Sequence, residues 1–157
     1  MSENAPNCVS YMRARFVASL PADRLYTASH FWLLAQPDGL WRAGLTRFAT
    51  RMLGEIVELA FEVAPGQPIT LGGKIGWIEG FKAISELYSV LDGVFIEANS
   101  DIDADITLVD SDPHGRGWLY RARGTPDPAA MDINAYMRLL DAAIDRMKSG
   151  AGSGEHG

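Results

Sequence analysis

Ile78-Glu79-Gly80-Phe81-Lys82-Ala83-Ile84-Ser85-Glu86-Leu87-Tyr88-Ser89 sets apolar, strand-prone residues on both sides of a short segment that opens with glycine. That pattern predicts a strand, a tight turn and a second strand, with Lys82 at the tip and an acid three residues before it. Outward from it, Lys74 to Glu79 and Leu87 to Leu91 read as the flanking strands. Glu55 to Glu62, Ile69 to Leu71, Gly93 to Ala98 and Gly117 to Ala122 read as further short ones. Pro65-Gly66, Gly72-Gly73, Asp92-Gly93 and Asp112-Pro113 mark turns between them. Many short strands at close spacing predict a mainly β chain folded as a sandwich or flattened β-barrel.

Two helices interrupt that pattern. Phe31 to Ala35 and Leu40 to Leu45 flank Gln36-Pro37-Asp38-Gly39 as a β-hairpin. Thr46 then offers an N-cap oxygen, Phe48, Met52 and Leu53 share a helical face, and Gly54 suits a left-handed C-terminus, so a short helix is expected in the N-terminal third. At the other end Ile133, Tyr136, Met137, Leu140, Ile144 and Met147 recur at steps of three and four with Gly150 just beyond, the pattern of an amphipathic C-terminal helix packed on the sheets. Residues 1–20 are read as a partly flexible N-terminal extension, 21–148 as the functional domain and 149–157, rich in Gly and Ser, as a flexible tail. Val9 to Leu25 carries Arg13, Arg15 and Arg24, read as an added strand with a solvated edge or, more sharply, a docking patch.

Composition narrows the function classes. The chain has 157 residues, 47% of them hydrophobic, which suits one domain with a sizeable core. A net charge of -6 and a pI near 5.0 disfavour nucleic acid or an anionic membrane as the main partner and favour a basic or mixed-charge protein surface. No run approaches the roughly 20 apolar residues of a membrane span, and the N-terminus lacks a signal-peptide pattern, so a cytoplasmic location is expected. Cys8 is the single cysteine, read as a disordered, unreactive thiol, and His30, His114 and His156 have no metal-ligand spacing. No Gly-x-Ser-x-Gly elbow is present, Gly72-Gly73-Lys74 does not extend into a phosphate loop, and Met-Lys-Met, the biotin pattern, is absent around Lys82. A stand-alone enzyme is not expected.

Lysine is scarce: only Lys74, Lys82 and Lys148, against eleven arginines. Taken alone, Lys82 reads either as a solubilising turn residue or as an amine presented for modification. An ordinary lysine amine is protonated at neutral pH, so acylating it requires an outside enzyme that binds the folded turn and takes the proton. In the same plain reading Glu79 is a surface strand acid, Gly80 a turn glycine, Trp32 and Trp118 core residues, and His30 a satisfied, partly buried histidine.

Four ordered patches carry a resemblance. Tyr26-Thr27-Ala28-Ser29-His30-Phe31-Trp32, Gly44-Leu45-Thr46 through Leu53-Gly54-Glu55, Glu79 to Tyr88, and Asp112-Pro113-His114-Gly115-Arg116-Gly117-Trp118 resemble the glycine cleavage H-protein family from Tyr26 to about Met147. The resemblance implies a barrel-sandwich hybrid fold and a non-catalytic carrier with lipoate attached to Lys82. Glu79, Gly80, Phe81 and Ala83 would be read by the lipoate-attaching enzyme. It further implies an aminomethyl group shuttled between glycine decarboxylase, aminomethyltransferase and dihydrolipoamide dehydrogenase. The departures are Gly80-Phe81 where the family usually has Ser-Val, Phe31 where it commonly has glutamate, and Thr50 where it commonly has glutamine. Gly80 is expected to loosen the turn. The alternatives are an H-like carrier of another route, such as lipoyl relay or sulfur oxidation, and an unlipoylated β-sandwich interaction module.

Between Glu79 and Asp112 the chain has nine acids and Lys82 as its single base. An arm leaving such a face would be steered toward basic docking surfaces.

Overall fold

The computed structural model describes residues 7–154, with side chains through residue 150. The N-terminal stretch opens as a hairpin, β1 (Cys8–Arg13) with β2 (Phe16–Pro21), followed by β3 (Leu25–Tyr26), β4 (Phe31–Ala35) and β5 (Trp41–Leu45). Helix α1 (Arg47–Leu53) leads to β6 (Ile56–Phe61), β7 (Pro68–Ile69), β8 (Lys74–Gly80), β9 (Ile84–Tyr88) and β10 (Leu91–Ala98). Two short helices, α2 (Ser100–Ala104) and α3 (Leu108–Ser111), precede β11 (Tyr120–Pro126) and the long α4 (Ile133–Gly154).

Every strand pair is antiparallel. A six-stranded sheet runs β3-β4-β5-β11-β10-β7, a three-stranded one β6-β8-β9, and β1-β2 stands apart. Neither larger sheet closes on itself, so the flattened barrel is an open sandwich. Its interior follows the alternation of the strands: Leu33, Ala43, Leu45, Ile56, Ile75, Ile78, Leu87, Leu91, Phe95 and Tyr120 form one buried cluster, plugged at the α2–α3 end by Ile102, Leu108 and Val109.

A second cluster lies outside the sandwich. Tyr11, Phe16, Ala18 and Leu20 of the N-terminal hairpin meet Ile133, Tyr136, Leu140 and Ile144 of α4, with Tyr26, Trp32 and Phe48 beneath them. Tyr26 and Tyr136 stack with centroids 4.6 Å apart and planes 8° from parallel. The periodicity of α4 is thus spent on core packing.

Several expectations change. The extension is a two-stranded hairpin with Cys8 at its start, paired to Pro21. Arg24 is not a solvated edge: its guanidinium lies 4.6 Å over the ring of Trp32. Leu87 to Leu91 spans the break between β9 and β10, because Ser89 turns the chain by donating its hydroxyl to Leu91 O at 2.6 Å. Met52 is exposed, and the buried face of α1 is Phe48, Thr50 and Leu53. Helix α4 runs past Gly150 to Gly154. The remaining residues of the expected flexible ends, 1–6 and 155–157, lie outside the described residues. No helix among the described residues is long and apolar enough to cross a membrane.

Candidate functional site: the Lys82 turn

Local sequence builds the turn in two steps. Strands β8 and β9 pair Glu79 with Ile84 and Ile78 with Ser85, and Gly80 N–H closes the hairpin on Ala83 O at 2.9 Å, leaving Phe81 and Lys82 at the tip. The tip's two backbone N–H groups, which in a free hairpin would face water, are then captured by the junction between α1 and β6. Phe81 N donates to Glu55 O at 3.0 Å and Lys82 N to Leu53 O at 2.8 Å. At neighbouring oxygens, Lys82 Nζ donates to Arg51 O at 3.2 Å.

Two glycines permit that approach. Helix α1 is capped at its start by Thr46, whose hydroxyl accepts from Ala49 N. It ends at Gly54, with φ 82° and ψ -171°, a conformation available essentially only to glycine. A Cβ there would sit 3.0 Å from Lys82 Cγ and 3.1 Å from Lys82 N, while one on Gly80 would sit 2.1 Å from Leu53 O. Gly80 is in β8 without positive φ, so it does not loosen the turn; it lets a second strand of backbone lie against it. The turn is a clamped tip, not a flexible one.

The surroundings are apolar and exposed on one side, polar and mixed in charge on the other. Phe81 is 76% exposed and Ile84 69%, with Tyr88, Val57 and Met52 also open to solvent. Exposed apolar side chains at the hairpin tip, Phe81 and Ile84, are not spent on core packing. On the outer face of the three-stranded sheet Glu79 lies between Glu58 and Ile84 in register, half-buried and without a hydrogen bond or ion pair among the described residues. Ala83 is exposed. A depression of about 320 Å³ beside Lys82 is lined by Arg47, Thr50, Arg51, Gly54, Glu55 and Asp110.

A separate apolar cleft of about 360 Å³ runs beneath the hairpin between His30, Phe31, Leu45, Met52, Leu53 and Leu87. Phe31 is buried at 5% exposure, so the position where an acid is common belongs here to the core. Glu86 is the one carboxylate lining the cleft, and Tyr88 Oη and Lys74 both hold it, keeping it below the usual carboxylate range. His30, at φ 69°, shares a 2.8 Å hydrogen bond between Nδ1 and Tyr136 Oη, and that hydroxyl is 2.8 Å from Thr46 Oγ1. Burial pushes the imidazole down to about 4, so the cleft is uncharged on this wall at neutral pH. His30 is the satisfied, partly buried histidine expected.

Lipoate needs an exposed, unpaired amine on a turn rigid enough to be recognised, and Lys82 fits: its Nζ has one backbone carbonyl and no ion pair among the described residues. Lys74, by contrast, is held by Glu62 and Glu86 at 3.4 and 3.3 Å. The sequence pointed to the hairpin but not to the carbonyls of Leu53 and Glu55 that hold it; Leu-Gly-Glu after a capped helix was the available signal.

Residues 24–139 match the family model for the glycine cleavage H-protein. The glycine cleavage system H protein of Mycobacterium tuberculosis is 38% identical over 131 residues, covering 83% of this chain and 96% of its own. That of Beutenbergia cavernae is 40% identical over 122 residues, 77% of this chain and 96% of its own. A crystal structure of a glycine cleavage system H protein from Mycobacterium marinum superposes with a TM-score of 0.67 at 32% identity, covering 74% of this chain and 95% of that one. The match begins after β2, so the N-terminal hairpin lies outside it. This chain belongs to the glycine cleavage H-protein family: non-catalytic carriers that hold lipoate covalently on a lysine and serve glycine decarboxylase, aminomethyltransferase and dihydrolipoamide dehydrogenase.

Proposed function

We propose that Lys82 is the lipoyl-lysine and that Glu79, Gly80, Phe81 and Ala83 are the surface by which the lipoate-attaching enzyme recognises the turn. The observation that carries this reading is the clamp: Lys82 N and Phe81 N both donate to the α1–β6 junction while the lysine side chain stays exposed. The attached group supplies the disulfide and thiol chemistry that accepts and releases the aminomethyl unit. The chain supplies position. Amide formation at Nζ removes the one positive charge between Glu79 and Asp112, so the loaded tip presents Phe81 and Ile84 on a segment whose remaining charges are all acidic. Gly80 lets the tip sit close against Leu53, and Glu79, spent on no partner, is available to a basic group of the attaching enzyme. The carrier works in the cytoplasm.

Lys82→Arg tests the site, because it keeps the charge and the stem but cannot be acylated by the same chemistry. In a reconstituted glycine decarboxylation assay with the three partner enzymes, the variant is expected to give no turnover above a mock-lipoylated control while keeping the parent unfolding temperature. Turnover at the parent rate would move the attachment to another residue.

A further inference from the structure

The cavity farthest in character from the lipoyl turn lies between the N-terminal hairpin and the six-stranded sheet. It measures about 510 Å³, and Lys82 is not among its walls. Arg24, Arg42 and Arg47 line it together with Trp32, Leu34 and His114. Three guanidinium groups around one cavity are unexpected in a chain of net charge -6.

Their neighbours show which of the three is unanswered. Arg24 is held by Asp23 at 2.8 Å and by His114 O at 2.8 Å, and Arg47 donates to the carbonyls of Asp110 and Ser111. Arg42 has the ring of Trp118 at 4.7 Å and no hydrogen-bond partner among the described residues; its Nε is buried and unsatisfied. Two acids line the same cavity, Asp23, which is paired with Arg24, and Asp112, and neither pairs with Arg42. Glu97 and Asp38 hold Arg121, the cross-strand partner of Arg42, at 2.7 and 2.9 Å, and the Asp112 carboxylate accepts from Arg116 N at 2.9 Å. Desolvation first, then the charges of Arg121 and Arg24, hold the Arg42 guanidinium below its ordinary range. His114 is pushed down to about 4, by burial first and then by Arg24 and Arg47, and its Nε2 accepts from Arg47 N at 3.2 Å, so it adds no charge at neutral pH. A guanidinium stacked on a tryptophan and left without acceptors is a fork suited to two oxygens of one anion. Leu34 adds an apolar wall, and the volume leaves room beyond what a bare oxyanion fills.

The geometry points to this cavity as a binding site for a small organic anion, its phosphate or carboxylate on the Arg42 guanidinium and its apolar body against Leu34. The site is separate from the Lys82 tip, sharing only Arg47 with the depression beside it, and its occupancy would tie the N-terminal hairpin, which lies outside the family match, to the sheet it covers.

Titration calorimetry of the full chain with phenyl phosphate, benzoate and inorganic phosphate, each balanced with sodium chloride to one ionic strength, tests it. Saturable binding of phenyl phosphate or benzoate is expected, tighter than inorganic phosphate, and whichever of the two binds more tightly names the oxyanion. Arg42→Met, which keeps the stem volume, should weaken binding at least about tenfold, and Arg42→Lys should fall between. Circular dichroism confirms that both variants are folded. No saturable binding by any of the three probes, or equal affinity in Arg42→Met and the parent, overturns the proposal.

Discussion

Gly54→Ala is the substitution that most severely tests the clamp. Gly54 has φ 82° and ψ -171°, a region closed to side chains at a cost of about 1–3 kcal/mol. The new Cβ would also lie 3.0 Å from Lys82 Cγ and 3.1 Å from Lys82 N, so the lysine tip must move outward. That movement lengthens the 2.8 Å bond from Lys82 N to Leu53 O, worth about 1 kcal/mol. The sum is about 2–4 kcal/mol, or roughly 5–15 °C in unfolding temperature for a chain of this size. The functional consequence is separate from the stability loss: a tip displaced by about 1 Å is presented in the wrong place, and acylation of Lys82 by a lipoate ligase should slow by about tenfold or more in kcat/KM. Calorimetric unfolding and a timed mass-spectrometric acylation assay read the two effects. A variant that melts within about 1 °C of the parent and is acylated at the parent rate would refute the reasoning.

Other consequences follow from the buried polar groups and the surface charge. His30 and His114 are held near pKa 4, against about 6.5 when unfolded, so the unfolded chain binds more protons between those values. Their contribution is fully present above pH 6.5 and is lost as pH falls toward 4, up to about 2 kcal/mol each between pH 7 and 5. Urea unfolding across that range should show the slope, and a flat stability would contradict it. Tyr136→Phe removes the hydroxyl shared by His30 Nδ1 and Thr46 Oγ1, and should cost about 1–3 kcal/mol in denaturant unfolding by stranding both; an unchanged midpoint would mean that the network carries no stability. Turnover of the lipoylated carrier with its partners should fall as ionic strength rises, because the segment from Glu79 to Asp112 carries nine acids and, once Lys82 is acylated, no base; a flat salt profile would remove steering from the account.

What was legible in the sequence was local. The hairpin of β4 and β5, the capped helix α1, and strands β8 and β10 follow from alternation, a Thr46 cap and a Gly54 stop, each a short-range device that leaves its mark in neighbouring residues. What was missed needed a partner far away in the chain. The stretch between Ala98 and Asp112 is given no element by the sequence because α2 and α3 are too short to show a period; Ile102, Leu108 and Val109 turn into the core along them. Gly80 looked like a turn glycine because the Leu53 carbonyl that crowds it comes from another element. Arg24 looked like a solvated edge because its Trp32 is eight residues on and across a strand. The lysine, by contrast, stood out by its scarcity and its place at a hairpin tip, before any contact was known.

The most direct test of the central claim is the intact mass of the chain after treatment with a lipoate ligase, with the adduct placed by peptide sequencing. The account predicts one lipoyl adduct, on Lys82, with Lys74 and Lys148 bare. An unmodified chain, or an adduct on either of the other lysines, would contradict it.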